Sequence, residues 1–304
     1  MITDFLSYLL SLETKGIKLG LDRTHNILSA CGNPHHKIKT VQVVGTNGKG
    51  STSAIIANIY KHAGYKVGLY TSPHLNKINE RIRINGDTIS DNNMIEFINL
   101  YQKEIESLNI SFFEAMTALA LWYFNKENVD IAILETGLGG RMDSVSVCKP
   151  ELVVFTPISL DHQHILGNSI EEIAHEKAGA IKYGVPCISS EQKQTVRNIL
   201  NSHASQLNTS VEYVDTNINN FVNLNGQHQI MNAALAIQSI KKLIQFNIKD
   251  SHISNGLKNV KWPARIQKIF DQPLTFFDVA HNETSFIYLC NFWDFSFYFI
   301  LPFI

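Results

Sequence analysis

The chain has 304 residues, 44% of them hydrophobic and 17% charged, which is material for one large or two medium packed domains and argues against a disordered chain. Its 26 basic and 27 acidic residues leave a net charge of −1 with no basic block, so nucleic acid is not the expected partner. Cys31, Cys148, Cys187 and Cys290 are far apart and make no Cys-x-x-Cys, which suggests neither a zinc knuckle nor a disulfide framework and fits a reducing cytoplasm.

The N-terminus carries Asp4 and no early positive charge. Leu6, Leu9, Leu10 and Leu12 read as an amphipathic helix and not as a signal peptide. An apolar strand over 41–44 follows. It turns through Gly45-Thr46-Asn47-Gly48-Lys49-Gly50-Ser51-Thr52 into a helix over 52–62. A strand that turns through glycines into a helix start leaves backbone N–H groups unpaired, and such an end attracts phosphate. Lys49 adds a charge for the terminal phosphates, and Ser51 or Thr52 offers a hydroxyl to Mg²⁺. The match to the standard P-loop is imperfect, because Gly50 separates Lys49 from Ser51.

Further strands are expected over 67–70, 129–134, 152–155, 185–188 and 211–214, alternating with helical patterns. That alternation predicts an α/β fold with a mostly parallel sheet flanked by helices. Two helix starts carry a capping box, Ser111 with Glu114 and Ser169 with Glu172. The helix from Ser111 presents Met116, Leu119, Ala120 and Tyr123 to the sheet, and another helix covers 229–243. The segment 256–273 mixes Gly, Lys, Asn and two prolines and reads as a linker.

Glu135 closes the apolar run of the 129–134 strand. An acid at the C-terminal end of a parallel strand stands where ligands bind in such sheets and is suited to hold Mg²⁺ beside a P-loop. His162 follows the 152–155 strand at the same sheet edge and can ligate a divalent cation, with Asp161 to orient it. Lys177 lies in the last turn of the helix from Ser169, where a lysine ordinarily complements the dipole.

The form Gly-Thr-Asn-Gly-Lys-Gly-Ser-Thr resembles the folylpolyglutamate and dihydrofolate synthases of the Mur ligase superfamily. The segments at Thr71-Ser72-Pro73-His74, Asn79-Glu80-Arg81-Ile82, Glu135 to Asp143 and Leu160-Asp161-His162 are similar to the same family. So are Gly226 to Ala234, Trp262-Pro263-Ala264-Arg265 and Phe277-Asp278-Val279-Ala280-His281-Asn282. The resemblance implies a P-loop, Mur-ligase-like ATPase domain over 1–262. It makes Ser51, Ser72, Glu135 and His162 the Mg²⁺ ligands. It makes Asn232, Arg265 and Asp278 nucleotide-binding residues alongside the loop, and Lys49, His162, Lys177 and His281 the catalytic ones, with Lys177 carbamylated.

It also implies the reaction. ATP phosphorylates a carboxylate of dihydropteroate or of folate's glutamyl tail, and the amino group of L-glutamate displaces the phosphate. The reading is of a cytoplasmic monomer acting on small molecules, with neither nucleic acid nor membrane as a partner. A cell-wall Mur ligase, a non-enzymatic ATP-binding remnant and an unrelated P-loop NTPase stay open as alternatives.

The pattern is broken at Ala264 and Val279, where the family has glycine, and at Glu283, where it has proline. After Asn282 the resemblance stops. Residues 263–304 are expected to be a linker and the truncated start of a Rossmann-like C-terminal domain. Phe286 to Ile304 hold six phenylalanines, two tyrosines and Trp293, in neither a helical nor a strand period. Asn291 and Asp294, with no flanking Lys or Arg, count against a membrane span there. Such a tail is what out-of-frame reading of an AT-rich gene produces. The expectation is a poorly ordered end after about residue 283 and a chain inactive as a ligase.

Overall fold

The computed structural model describes residues 2–16, 20–215 and 221–292. Its centre is an eight-stranded sheet. The strands are β1 (Thr40–Val44), β2 (Val67–Tyr70), β3 (Ile82–Ile84), β4 (Asp87–Thr88), β5 (Ile131–Glu135), β6 (Leu152–Phe155), β7 (Cys187–Ser189) and β8 (Val211–Tyr213). They lie in the order β4-β3-β2-β5-β1-β6-β7-β8. The pairs from β2 through β8 are parallel, and only β2–β3 and β3–β4 are antiparallel, at one edge.

The parallel strands are near-continuous apolar runs because both faces are covered. In β5, Ile131 and Ile133 face one layer while Ala132 and Leu134 face the other. The first layer is built from α3 (Lys49–His62), α9 (His228–Lys242) and α10 (Asp250–Asn259). The second holds α1 (Ile2–Ser11), α2 (Asp22–Ala30), α4 (Asp91–Ser107) and α5 (Phe112–Lys126), continued by α7 (Ile170–Ala178) and α8 (Gln194–Gln206). The short helix α6 (Gln163–Leu166) links β6 to α7. Both expected capping boxes are present, at Ser111 with Glu114 and at Ser169 with Glu172.

The structure corrects three readings. The strand expected over 129–134 begins at Ile131 and extends through Glu135, so the acid belongs to the strand itself. The segment read as a linker contains the last turn of α10 and then β9 (Gln267–Asp271). The poor order expected after residue 283 is not found up to Phe292. There, β9 pairs antiparallel with β10 (Leu274–Phe277), and α11 (Glu283–Phe292) follows. The rest of the aromatic tail, 293–304, lies outside the described residues. No helix among the described residues is long and apolar enough to cross a membrane.

Candidate functional site

In the strand order, β1 lies between β5 and β6. The loops that leave the C-terminal ends of these three strands therefore share one edge of the sheet, where open α/β sheets bind ligands. The loop after β1 carries 45–52, β5 ends in Glu135, and the loop after β6 carries Asp161 and His162.

The β1 loop is anchored before it reaches its helix. Thr46 and Asn47 both donate their amide hydrogens to Pro157 O, at 2.9 and 3.4 Å, and the Thr46 hydroxyl pairs with the backbone of Ser159. Those two amides are therefore engaged, which narrows the phosphate cradle expected of the whole loop. The amides at the start of α3 carry the positive end of the helix dipole. Lys49 is the first residue of α3, and its Nζ donates to Thr46 O at 2.9 Å. Burial pushes its pKa down, against the pull of the Glu135, Asp161 and Asp143 carboxylates. Asn232, from α9, closes the other side, with its Oδ1 accepting from Thr52 Oγ1 at 3.3 Å.

Glu135 is 5% exposed, and its Oε2 accepts the amide of Ser72 at 3.2 Å. The same oxygen stands 3.5 Å from where a Cβ on Gly50 would sit, so carboxylate and loop are in contact distance. Its Oε1 takes no hydrogen bond from a described residue. Burial raises its pKa, and Lys49 and the Ser72 amide oppose that. Among the described residues no three His, Cys, Asp or Glu side chains gather around a common centre. Glu135 instead offers one carboxylate here, beside the Ser72 amide and the loop that carries Ser51. It fits Mg²⁺, which is usually held by one or two carboxylates while phosphate and water complete the shell.

His162 sits further out. It is an exposed residue with φ 49°, and its Nε2 lies 3.9 Å from Asp161 Oδ2. His281 Nε2 approaches the same oxygen at 4.0 Å. Burial lowers the His162 pKa, Lys49, Lys177 and His281 add to that, and Asp161 opposes it. Lys177 is 4% exposed and donates from Nζ to Gly45 O at 2.7 Å, so it lies against the loop and away from bulk solvent. Burial first, then Lys49, bring its pKa down to about 7.

The later segment closes over this edge. Asn47 and Asn282 exchange two side-chain hydrogen bonds, at 3.1 and 3.0 Å, and Asn282 Nδ2 also donates to Asp161 Oδ2 at 3.1 Å. Asp278 accepts from the amides of Ile266 and Ala280, at 2.8 and 2.7 Å. The turn therefore forms with valine at 279, which is not among the residues of positive φ. Ala264, standing where the resembling motif has glycine, does adopt the left-handed region at φ 57°. Arg265 is held between the charges of Glu135 and Asp278. Sequence reasoning gave no role to Asn282 and only an orienting one to Asp161. Asn282 meets Asp161 from 121 positions away and Asn47 from 235 positions away, which no local pattern reveals.

A model of the Mur ligase middle domain matches residues 43–186. The chain is similar to the dihydrofolate synthase/folylpolyglutamate synthase of Bacillus subtilis (strain 168), at 39% identity over 88% of this chain and 70% of that protein. Among solved structures it is similar to the apo form of L. casei FPGS. The TM-score is 0.89 and the identity 31%, over 96% of this chain and 79% of that one. An FPGS-AMPPCP-folate complex matches with TM-score 0.88 and 32% identity, over 96% and 79% of the two chains.

Proposed function

This chain belongs to the folylpolyglutamate synthase/dihydrofolate synthase family, and from that premise we propose that it is an ATP-dependent ligase joining L-glutamate to a folate-type carboxylic acid. The observation that carries the reading is the contact of Glu135 with the start of α3, next to Lys49. Residues 1–262 are the nucleotide-binding body, and 263–304 begin a second unit.

In this reading ATP lies with its phosphates at the start of α3. The free amides of the first turn and Lys49 Nζ, released from Thr46 O, meet the charge that develops on the transferring phosphoryl group. Glu135, Ser51, Ser72 and His162 would hold Mg²⁺. When bound, the ion supplies Lewis-acid stabilisation of phosphate oxygens. The acceptor's carboxylate oxygen attacks the γ-phosphorus, ADP leaves, and an acyl phosphate forms. The glutamate amine then displaces phosphate and loses a proton, giving the amide. No side chain acts as a covalent nucleophile. Asn232, Arg265, Asp278 and His281 border the nucleotide, supported by the contacts of Asn232 with Thr52 and of His281 with Asp161. Lys177, brought down to about 7, has a large neutral fraction at neutral pH, the form that carbon dioxide can carbamylate. The protein acts as a cytoplasmic monomer, in keeping with four unpaired cysteines.

The test is ADP release with the full chain, ATP, Mg²⁺, L-glutamate and either dihydropteroate or folate. Release that requires both the acid and glutamate, with amide product found by mass spectrometry, supports the reading. ATP turnover indifferent to the acid, or dependent on a nucleotide sugar, contradicts it.

A further inference from the structure

The last turns of α7 and α8 meet through two histidines. His175 lies in the final turn of α7 and His203 in the final turn of α8. Strands β6, β7 and β8 are parallel, so the helices that return between them run the same way and bring their C-terminal ends together. His175 Nδ1 stands 3.1 Å from His203 Nε2, with the ring planes 56° apart, so the rings meet nitrogen to nitrogen and are not stacked. His175 is exposed and His203 half-buried, so solvent reaches the pair from the His175 side.

This junction suits a cation. The carbonyl ends of two helix dipoles converge on it, and their partial charge is negative. The lysine of the same turn, Lys177, is buried against Gly45 O and does not compete. Burial first, and then His175, push the His203 pKa down, so the pair favours its neutral, lone-pair form. One ring donates to the other as they stand. When that ring shifts its proton to its far nitrogen, both facing nitrogens present lone pairs at no cost in charge.

The spacing narrows the ion. With metal–nitrogen bonds of about 2.0–2.1 Å, neighbouring ligands stand about 3.3–3.4 Å apart in a tetrahedron and about 2.8–3.0 Å apart at a right angle. The observed 3.1 Å falls between the two. Imidazole pairs take zinc, copper or nickel, whereas Mg²⁺ prefers oxygen and is not the occupant.

We propose that His175 and His203 form a two-histidine chelate for a transition-metal dication of the zinc and copper class, separate from the nucleotide site, with water completing its shell. This goes beyond the ligase reading and does not depend on it. The ion ties α8 to the end of α7, the turn that also carries Glu176 to Arg141 and Lys177 to Gly45 O.

The experiment titrates the full chain, stripped of metal and free of nucleotide, with Zn²⁺ in competition with a chromophoric chelator, and with Cu²⁺ under electron paramagnetic resonance. Excess Mg²⁺ is present throughout to occupy oxygen sites. Wild type should hold its strongest equivalent of Zn²⁺ at least about tenfold more tightly than His175→Ala or His203→Ala, since losing a ligand costs no less than losing its outer-shell partner. His36→Ala, which removes an exposed histidine elsewhere, should bind as wild type does. Saturating Zn²⁺ should raise the wild-type melting temperature by about 3 °C or more and leave the 175 and 203 variants unmoved. The copper spectrum should show two coupled nitrogens in wild type and one in each of those variants. A wild type that holds no Zn²⁺ against the chelator, equal affinity in wild type and both variants, or an equal loss in His36→Ala overturns the proposal. If an alanine variant does not fold, the wild-type copper spectrum still decides, because fewer than two coupled nitrogens overturns it.

Discussion

Lys177 Nζ donates to the carbonyl oxygen of Gly45 across 2.7 Å, which ties the end of α7 to the first residue of the phosphate loop. Burial depresses this lysine to about 7, far below its unfolded value. Between about pH 7 and pH 10 the unfolded chain therefore binds the extra proton, and stability rises with pH through that window by up to about 1.4 kcal/mol per pH unit. Below pH 7 the charged amine must be buried, and the gain is absent. Lys177→Met should flatten the dependence. Thermal melts of both proteins from pH 6 to 9 check this, and parallel curves would place the Lys177 amine in solvent.

Glu135→Gln separates fold from function. The carboxylate is buried at a cost, as its raised pKa records, while glutamine keeps an acceptor for the Ser72 amide. The variant should melt at or above the wild-type temperature. Its nucleotide affinity should no longer improve when Mg²⁺ is added. A persistent Mg²⁺ effect in the variant would remove Glu135 from the ion's shell.

Gly48 has φ 86°, and a Cβ there would stand 2.4 Å from Asn232 Oδ1. Gly48→Ala combines left-handed strain of about 1–2 kcal/mol with displacement of Asn232. A loss of at least about 1 kcal/mol in urea unfolding is expected. An alanine variant of wild-type stability would mean the loop conformation is wrong.

The paired amides of Asn47 and Asn282 should couple energetically. Single alanine variants and the double variant form a cycle whose interaction energy is expected at about 0.5–2 kcal/mol in unfolding free energy. Strict additivity would show that the 278–282 segment does not rest on the loop in solution.

What the sequence made legible was local. The strand, glycine turn and helix around Lys49 follow one another in the chain, and the two capping boxes are three-residue patterns; all are found, with the helix beginning at Lys49, three residues before its expected start. Long-range packing was not legible. Gly256 looked like a linker residue, yet it lies inside α10, where a Cβ would come 2.6 Å from Ile59 Cγ1. Its lack of a side chain lets α10 close on α3, so packing overrides helix propensity there. Arg81 was visible only as part of a motif. That its guanidinium is buried depends on the Phe112 ring and on His74, and the spacing of charges cannot convey it. The two short edge strands β3 and β4 span three and two residues, too few for an alternation to register.

Calorimetric titration of the full chain with a non-hydrolysable ATP analogue, with and without Mg²⁺, tests the central claim most directly when repeated on Lys49→Ala. Lys49 stands at the start of α3, its Nζ hydrogen-bonded among the described residues to Thr46 O alone, and can exchange that carbonyl for phosphate. Wild type should bind, more tightly with Mg²⁺, and Lys49→Ala should bind at least about tenfold more weakly while melting within a few degrees of wild type. A wild-type chain that does not bind the analogue, or a variant that binds it equally well, would contradict the account.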